Sequence, residues 1–126
     1  MSVEENKKSA YRCFEEVWNK RDLSVIPEVI APNYVGNNPE ANYNGLDGFE
    51  RLVKVYNTAV PDMHWTVEDI FGEGDKLAIR IHVTGTQTGK VGDTEPTGEP
   101  VDTVTLLVNR YVDGKCVEST PYNAQT

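Results

Sequence analysis

Positive charge is scarce in this sequence. Its 126 residues carry 12 Lys and Arg against 20 Asp and Glu, a formal charge of −8, and so acidic a chain repels phosphate backbones and anionic bilayers. Neither nucleic acid nor a membrane surface is therefore an expected partner. Lys7-Lys8 and Lys20-Arg21 are short runs beside acidic residues, which read as solvated helix surface. Cysteine and histidine are equally sparse, two of each. Cys13, Cys116, His64 and His82 show no C-x-x-C or other ligand spacing, so neither a disulfide framework nor a metal site is expected. There is no G-x-x-x-x-G-K phosphate loop, and nothing in the sequence calls for a cofactor. No apolar run approaches the roughly 20 residues that cross a bilayer, and with no Cys framework the expected compartment is the reducing cytoplasm.

What is present is grouped and periodic. A chain of this length suits one domain over 1–126, able to bury roughly two-thirds of its extended surface without covalent staples. From Val3 to Lys20, Ala10, Phe14, Val17 and Trp18 recur at three- and four-residue intervals, with Ser2 as cap and Glu4 and Glu5 in the first turn. Asp22 caps a second, short helix over Leu23 to Ile30, limited by Pro27 and ended by Pro32. A strand-like Asn33-Tyr34-Val35 follows, then a loop from Gly36 to Gly45. Leu46, Phe49, Leu52, Val53 and Tyr56 form the apolar stripe of a third helix, Leu46 to Ala59. After Pro61-Asp62 the period changes to two. Strands are predicted over His64 to Gly72, Lys76 to Thr88, Val101 to Val112 and Lys115 to Tyr122, with Asp113-Gly114 as a hairpin turn.

Three helices followed by strands predict an α+β fold, the helices covering one face of a curled antiparallel sheet. In Leu77 to Gln87 the alternation places Leu77, Ile79, Ile81 and Val83 toward the helices and Arg80, His82 and Thr84 away from them. The same parity carries Gln87 to the enclosed side unless a bulge near Gly85 resets the register.

Gly85-Thr86-Gln87-Thr88-Gly89, followed by Pro96-Thr97-Gly98 and Val101, resembles the mid-sheet signature of the SnoaL-like polyketide cyclases in the nuclear transport factor 2-like superfamily. Val17-Trp18-Asn19 before Asp22-Leu23, Val60-Pro61-Asp62-Met63, Gly74-Asp75, and Arg110 before Asp113-Gly114-Lys115 agree in order and spacing, so the resemblance covers nearly the whole chain. It implies a cone of curled sheet and three helices with a pocket inside, usually in homodimers. It also implies intramolecular aldol chemistry, in which a base removes an acidic proton and the enolate attacks a carbonyl.

The residues depart from that chemistry at three places. Where relatives place His between the two threonines, this chain has Gln87; where they place an Asp near the C-terminus, Glu118 is followed by Ser119-Thr120-Pro121-Tyr122-Asn123-Ala124; and where they place His before Asn-Pro, Asn37 precedes Asn38-Pro39. An amide orients a carbonyl but does not change charge near neutral pH. Tyr34, Asn37, Tyr56, Gln87, Tyr122 and Asn123 are accordingly the ligand-binding candidates, for a small hydrophobic carbonyl compound. Gln87, Asp62 and His64 are the only catalytic candidates, and each has an ordinary turn, loop or rim role as its alternative. Three readings stay open: a cofactor-independent cyclase- or isomerase-type enzyme, a non-catalytic binder, and a dimeric interaction module using the outer sheet face around Arg80 and His82.

Overall fold

The first helix begins where the sequence supplies a cap. In the computed structural model, which describes residues 2–37, 42–90 and 93–123, the Ser2 hydroxyl accepts from the Glu5 backbone N–H at 3.1 Å. Glu4 and Glu5 occupy the first turn of α1, Val3–Arg12, where unpaired N–H groups favour negative charge. The helix then widens into π-type turns over Cys13–Asn19, which bury Phe14, Val17 and Trp18 on one side. Asp22 Oδ1 accepts from the Ser24 N–H at 3.1 Å, starting a 3-10 turn, Leu23–Val25, that runs into α2, Ile26–Val29. Pro27 sits in the first turn of α2, where its missing donor is not needed.

The remaining elements are β1 (Ile30–Asn37), β2 (Asn42–Asn44), α3 (Gly45–Ala59), β3 (His64–Glu73), β4 (Lys76–Thr86), β5 (Pro100–Val112) and β6 (Lys115–Asn123). They make a curled, unclosed six-stranded sheet in the order β2-β1-β6-β5-β4-β3. Its pairs are antiparallel except β1 with β6, which run parallel because α3 and the β3 to β5 meander intervene in the chain. The stretch expected to be loop contains β2, whose Tyr43 pairs with Gly36. That pairing is made by backbone groups of polar residues, which leave no hydrophobic alternation to detect. Asp113 and Gly114 both take positive φ, 52° and 77°, as a tight hairpin requires.

The core lies between the helices and the concave sheet face. Leu77, Ile79, Ile81 and Val83 are buried there with Val17 and Val53. Two glycines of the mid-sheet signature let the end of β4 and its exit meet the C-terminus of α3. A Cβ at Gly85 would lie 2.5 Å from Val60 Cγ1, and one at Gly89 would overlap the Thr58 carbonyl oxygen. The Gly89 N–H donates to the Ala59 carbonyl at 3.0 Å across this junction.

The convex face carries the even-numbered side chains of β4. His82 Nε2 lies 2.5 Å from Asp102 Oδ1 and His82 Nδ1 lies 3.6 Å from Glu68 Oε2, while Arg80 Nε lies 3.5 Å from Glu68 Oε1. The hydrogen bond to Asp102 raises the His82 pKa above its ordinary 6.5, and the charges of Asp102 and Glu68 add to it. Leu106, Phe71 and Tyr122 are exposed, at 38%, 58% and 57% of their surface.

Two outcomes follow from this packing. Ile79→Ala removes a fully buried side chain and is expected to cost about 2–5 kcal/mol in urea unfolding. The His82–Asp102 pair stabilises the fold while His82 is protonated. Because the folded pKa is raised, that contribution is complete below the unfolded value of about 6.5 and is lost as pH rises through the folded value. The melting-temperature gap between the natural chain and Asp102→Asn should therefore be widest near about pH 5.5 and close in alkaline buffer; a gap independent of pH would reject the linkage.

Candidate functional site

A β-strand rises more than twice as far per residue as an α-helix, so the 13 residues of β5 span roughly 40 Å, and the 15 residues of α3 only about 22 Å. The helices cannot fill the concavity that the curled sheet makes. A cavity of about 900 Å³ remains between them.

Its helical wall is aromatic. Phe14, Trp18, Phe49 and Tyr56 line it, joined by Trp65 of β3. The Trp18 and Trp65 rings are 4.5 Å apart between centroids, Phe14 stacks on Trp65 at 5.9 Å, and Tyr34 meets Phe49 edge-on at 5.3 Å. Its sheet wall is more polar. The register Ile81↔Thr105, Ile79↔Leu107 and Leu77↔Asn109 turns the odd positions of β5 inward, so Thr103, Thr105 and Asn109 join the lining.

Apart from Asp102 at its edge, the lining offers hydroxyl, amide, indole and thiol groups. Burial pushes the Tyr34, Tyr111 and Cys13 pKa values upward and the Cys116 thiol to about 12. The Tyr34 hydroxyl bonds to Ser119, and Asn109 Nδ2 donates to the Tyr111 hydroxyl at 3.3 Å. Ser9 Oγ, Trp65 Nε1 and Asn109 Oδ1 are buried without a partner. Asp102 is the one carboxylate among the described lining residues, and it is 73% exposed and held by His82. Among the described residues no His, Cys, Asp or Glu cluster is arranged to hold a metal ion, and no helix is long and apolar enough to cross a membrane. The arrangement can enclose an apolar body and offer it neutral hydrogen-bonding groups.

Of the six ligand-binding candidates, Tyr34, Asn37 and Tyr56 line the cavity. The Asn37 amide is already engaged, its Nδ2 donating to Glu118 Oε2 and Thr120 Oγ1, each at 3.0 Å. Gln87 is not in the wall. Pairing of β4 with β5 ends at Thr86↔Pro100, and the Thr88 N–H turns back to the Thr86 carbonyl at 2.9 Å, so strand parity stops one residue before Gln87. Its N–H donates to the Glu99 carbonyl at 3.0 Å and its Oε1 accepts from the Thr97 hydroxyl at 3.4 Å. Tyr122 pairs with Leu106 and is exposed on the convex face, since the inward position belongs to Leu107↔Pro121. The Asn123 side chain lies outside the described residues.

The two remaining catalytic candidates also stand away from the wall. Asp62 Oδ1 accepts from the Thr86 N–H at 2.8 Å, tying the turn after α3 to the end of β4. His64 is exposed opposite Thr84, on the outward parity. Trp65, Asn109 and Tyr111 were not among the candidates. Extending the alternation of β4 across the sheet would have found all three, since Asn109 and Tyr111 are odd positions of β5 and Trp65 pairs with inward Val83.

Known proteins agree with this architecture. AclR of Streptomyces galilaeus, a candidate hydroxylase, is 31% identical over 96% of this chain and 79% of its own, with a TM-score of 0.80. IdmH of Streptomyces antibioticus, a candidate polyketide cyclase, is 27% identical over 93% of this chain and 90% of its own, at a TM-score of 0.77. A SnoaL-like protein of Jannaschia sp. CCS1 shares the fold at 23% identity, with a TM-score of 0.85 over 94% of this chain and 84% of its own. No protein of curated function matches the chain. The model of the SnoaL-like polyketide cyclases matches residues 8–123, and with a curled, unclosed sheet under three helices the chain belongs to that family.

Proposed function

We propose that this protein binds a small, apolar, carbonyl-bearing molecule of the polyketide kind inside its cone, and orients it through neutral hydrogen bonds. The observation that carries this reading is the composition of the cavity: about 900 Å³ walled by aromatic rings, with unpaired buried polar atoms. Aldol cyclisation by the protein would need a group that gains and loses a proton near neutral pH. Burial raises the pKa values of the Tyr34 and Tyr111 phenols and of the Cys13 and Cys116 thiols, so binding is the better-supported role.

Trp18 and Trp65, the protein's two tryptophans, both line the cavity, so intrinsic fluorescence reports its occupancy. Aromatic polyketones titrated into the protein should quench emission saturably, with an affinity that changes less than about twofold between pH 5.5 and 8.5 because the groups proposed to hold the ligand are amides, hydroxyls and indoles. Turnover of such a compound with a bell-shaped pH profile in that range would overturn the binding role in favour of cyclase chemistry, and the absence of any saturable change would overturn both.

The convex sheet face we assign to a second copy of the chain. Leu106 and Tyr122 are exposed beside half-buried Val104 and Val108, next to the opposite-sign pairs His82–Asp102 and Arg80–Glu68. A face with both apolar and paired charged groups is self-complementary about a two-fold axis. Leu106→Asp should convert a sedimenting dimer to monomer; a natural chain that sediments as monomer at tens of micromolar removes the assignment.

A further inference from the structure

Asn19 ends the first helix and is separated by 46 residues from Trp65 in β3, yet its side chain grips both backbone groups of that residue. Oδ1 accepts from the Trp65 N–H at 2.8 Å, and Nδ2 donates to the Trp65 carbonyl at 2.9 Å. The indole itself packs against Phe14 and Trp18, with Tyr56 edge-on at 6.3 Å. A side chain fixed so fully at backbone and ring has its N–H direction fixed as well. That N–H has no acceptor, although Trp65 lines the cavity and the nitrogen is closed off from water. Buried polar groups are nearly always paired, and one left unpaired on a cavity wall calls for an explanation.

We infer that the Trp65 indole N–H is the donor that selects an oxygen-bearing ligand over a hydrocarbon of the same shape, and that Asn19 is the positioning residue that aims it. The inference rests on the binding role proposed above and names the group that gives the cavity its preference for a carbonyl. Indole nitrogen suits the task because it donates and does not accept, so it rewards a carbonyl oxygen and gives nothing to a methylene. Because the nitrogen is buried, an oxygen reaches it only when a neighbouring ring shifts, and the neighbours around the indole are ring contacts.

The test compares two probes that differ only at the acceptor, 2-acetylnaphthalene and 2-ethylnaphthalene, by equilibrium dialysis. The natural chain should bind the ketone about three- to tenfold more tightly than the hydrocarbon, the range of one neutral hydrogen bond. In Trp65→Phe the ratio should fall to about one, whatever the variant loses in overall packing, because both probes share that loss. Asn19→Ala should lower the ratio while leaving hydrocarbon affinity within about twofold, an effect that loss of stability alone does not produce. In 15N–1H spectra the Trp65 indole proton, assigned through Trp65→Phe, should shift downfield with the ketone and not with the hydrocarbon. Equal binding of both probes by the natural chain, or a ratio that survives Trp65→Phe, overturns this inference and leaves the binding role standing. Binding of neither probe overturns both.

Discussion

The burial of Leu77, Ile79, Ile81 and Val83 under the helices is the contact on which the other features depend. Strand geometry allows one face of β4 to be apolar while the next residue along points outward, and the register carries that division across to β5 and β3. Once the face is seated, the close approach at Gly85 and Gly89 sets the end of α3 against the end of β4. Asp62 ties the same junction through the Thr86 N–H. The sheet outruns the helices from that point, and the hollow is the space they do not reach.

The same division sorts the chemistry of the molecule. Charge collects on the convex face, in the Glu68, Arg80, His82 and Asp102 cluster. The concave side holds hydroxyls, amides, indoles and thiols, and burial disfavours the charged forms of Cys13, Tyr34, Tyr111 and Cys116. Hydrogen bonding is thus the interaction left to the hollow, and its strength there comes from exclusion of water. In such a site the aim of a donor matters more than its acidity, which gives the grip of Asn19 on Trp65 its significance.

The two longer helices, β3 to β6 and the inward face of β4 were legible because each repeats a pattern over many residues, at three- and four-residue intervals for Val3 to Lys20 and two for Leu77 to Val83, with a turn pair at Asp113-Gly114. By contrast, α2 and β1 were marked only by Asp22, Pro27, Pro32 and Asn33-Tyr34-Val35. β2 was illegible because Asn42–Asn44 pairs through its backbone and its sequence is that of a loop. Tyr34 and Tyr56 line the cavity as a buried and a half-buried aromatic of covered elements. Gln87 does not, since parity along a strand holds only while the ladder continues, and where the ladder stops is decided by hydrogen bonds to Glu99 and Gly98 far along the chain. Tyr122 fell on the convex face for a related reason, the register of β6 against β5.

By itself the sequence determined the α+β order, the apolar face that seats the helices, and the amides at positions 37, 87 and 123. Those properties are local or periodic, and periodicity survives without coordinates. The tertiary structure alone decided which polar side chains meet the hollow, because Asn19 and Trp65, or Asn37 and Glu118, come together across dozens of residues. Such meetings depend on where a helix ends over a curled sheet, a distance that no spacing in the chain encodes.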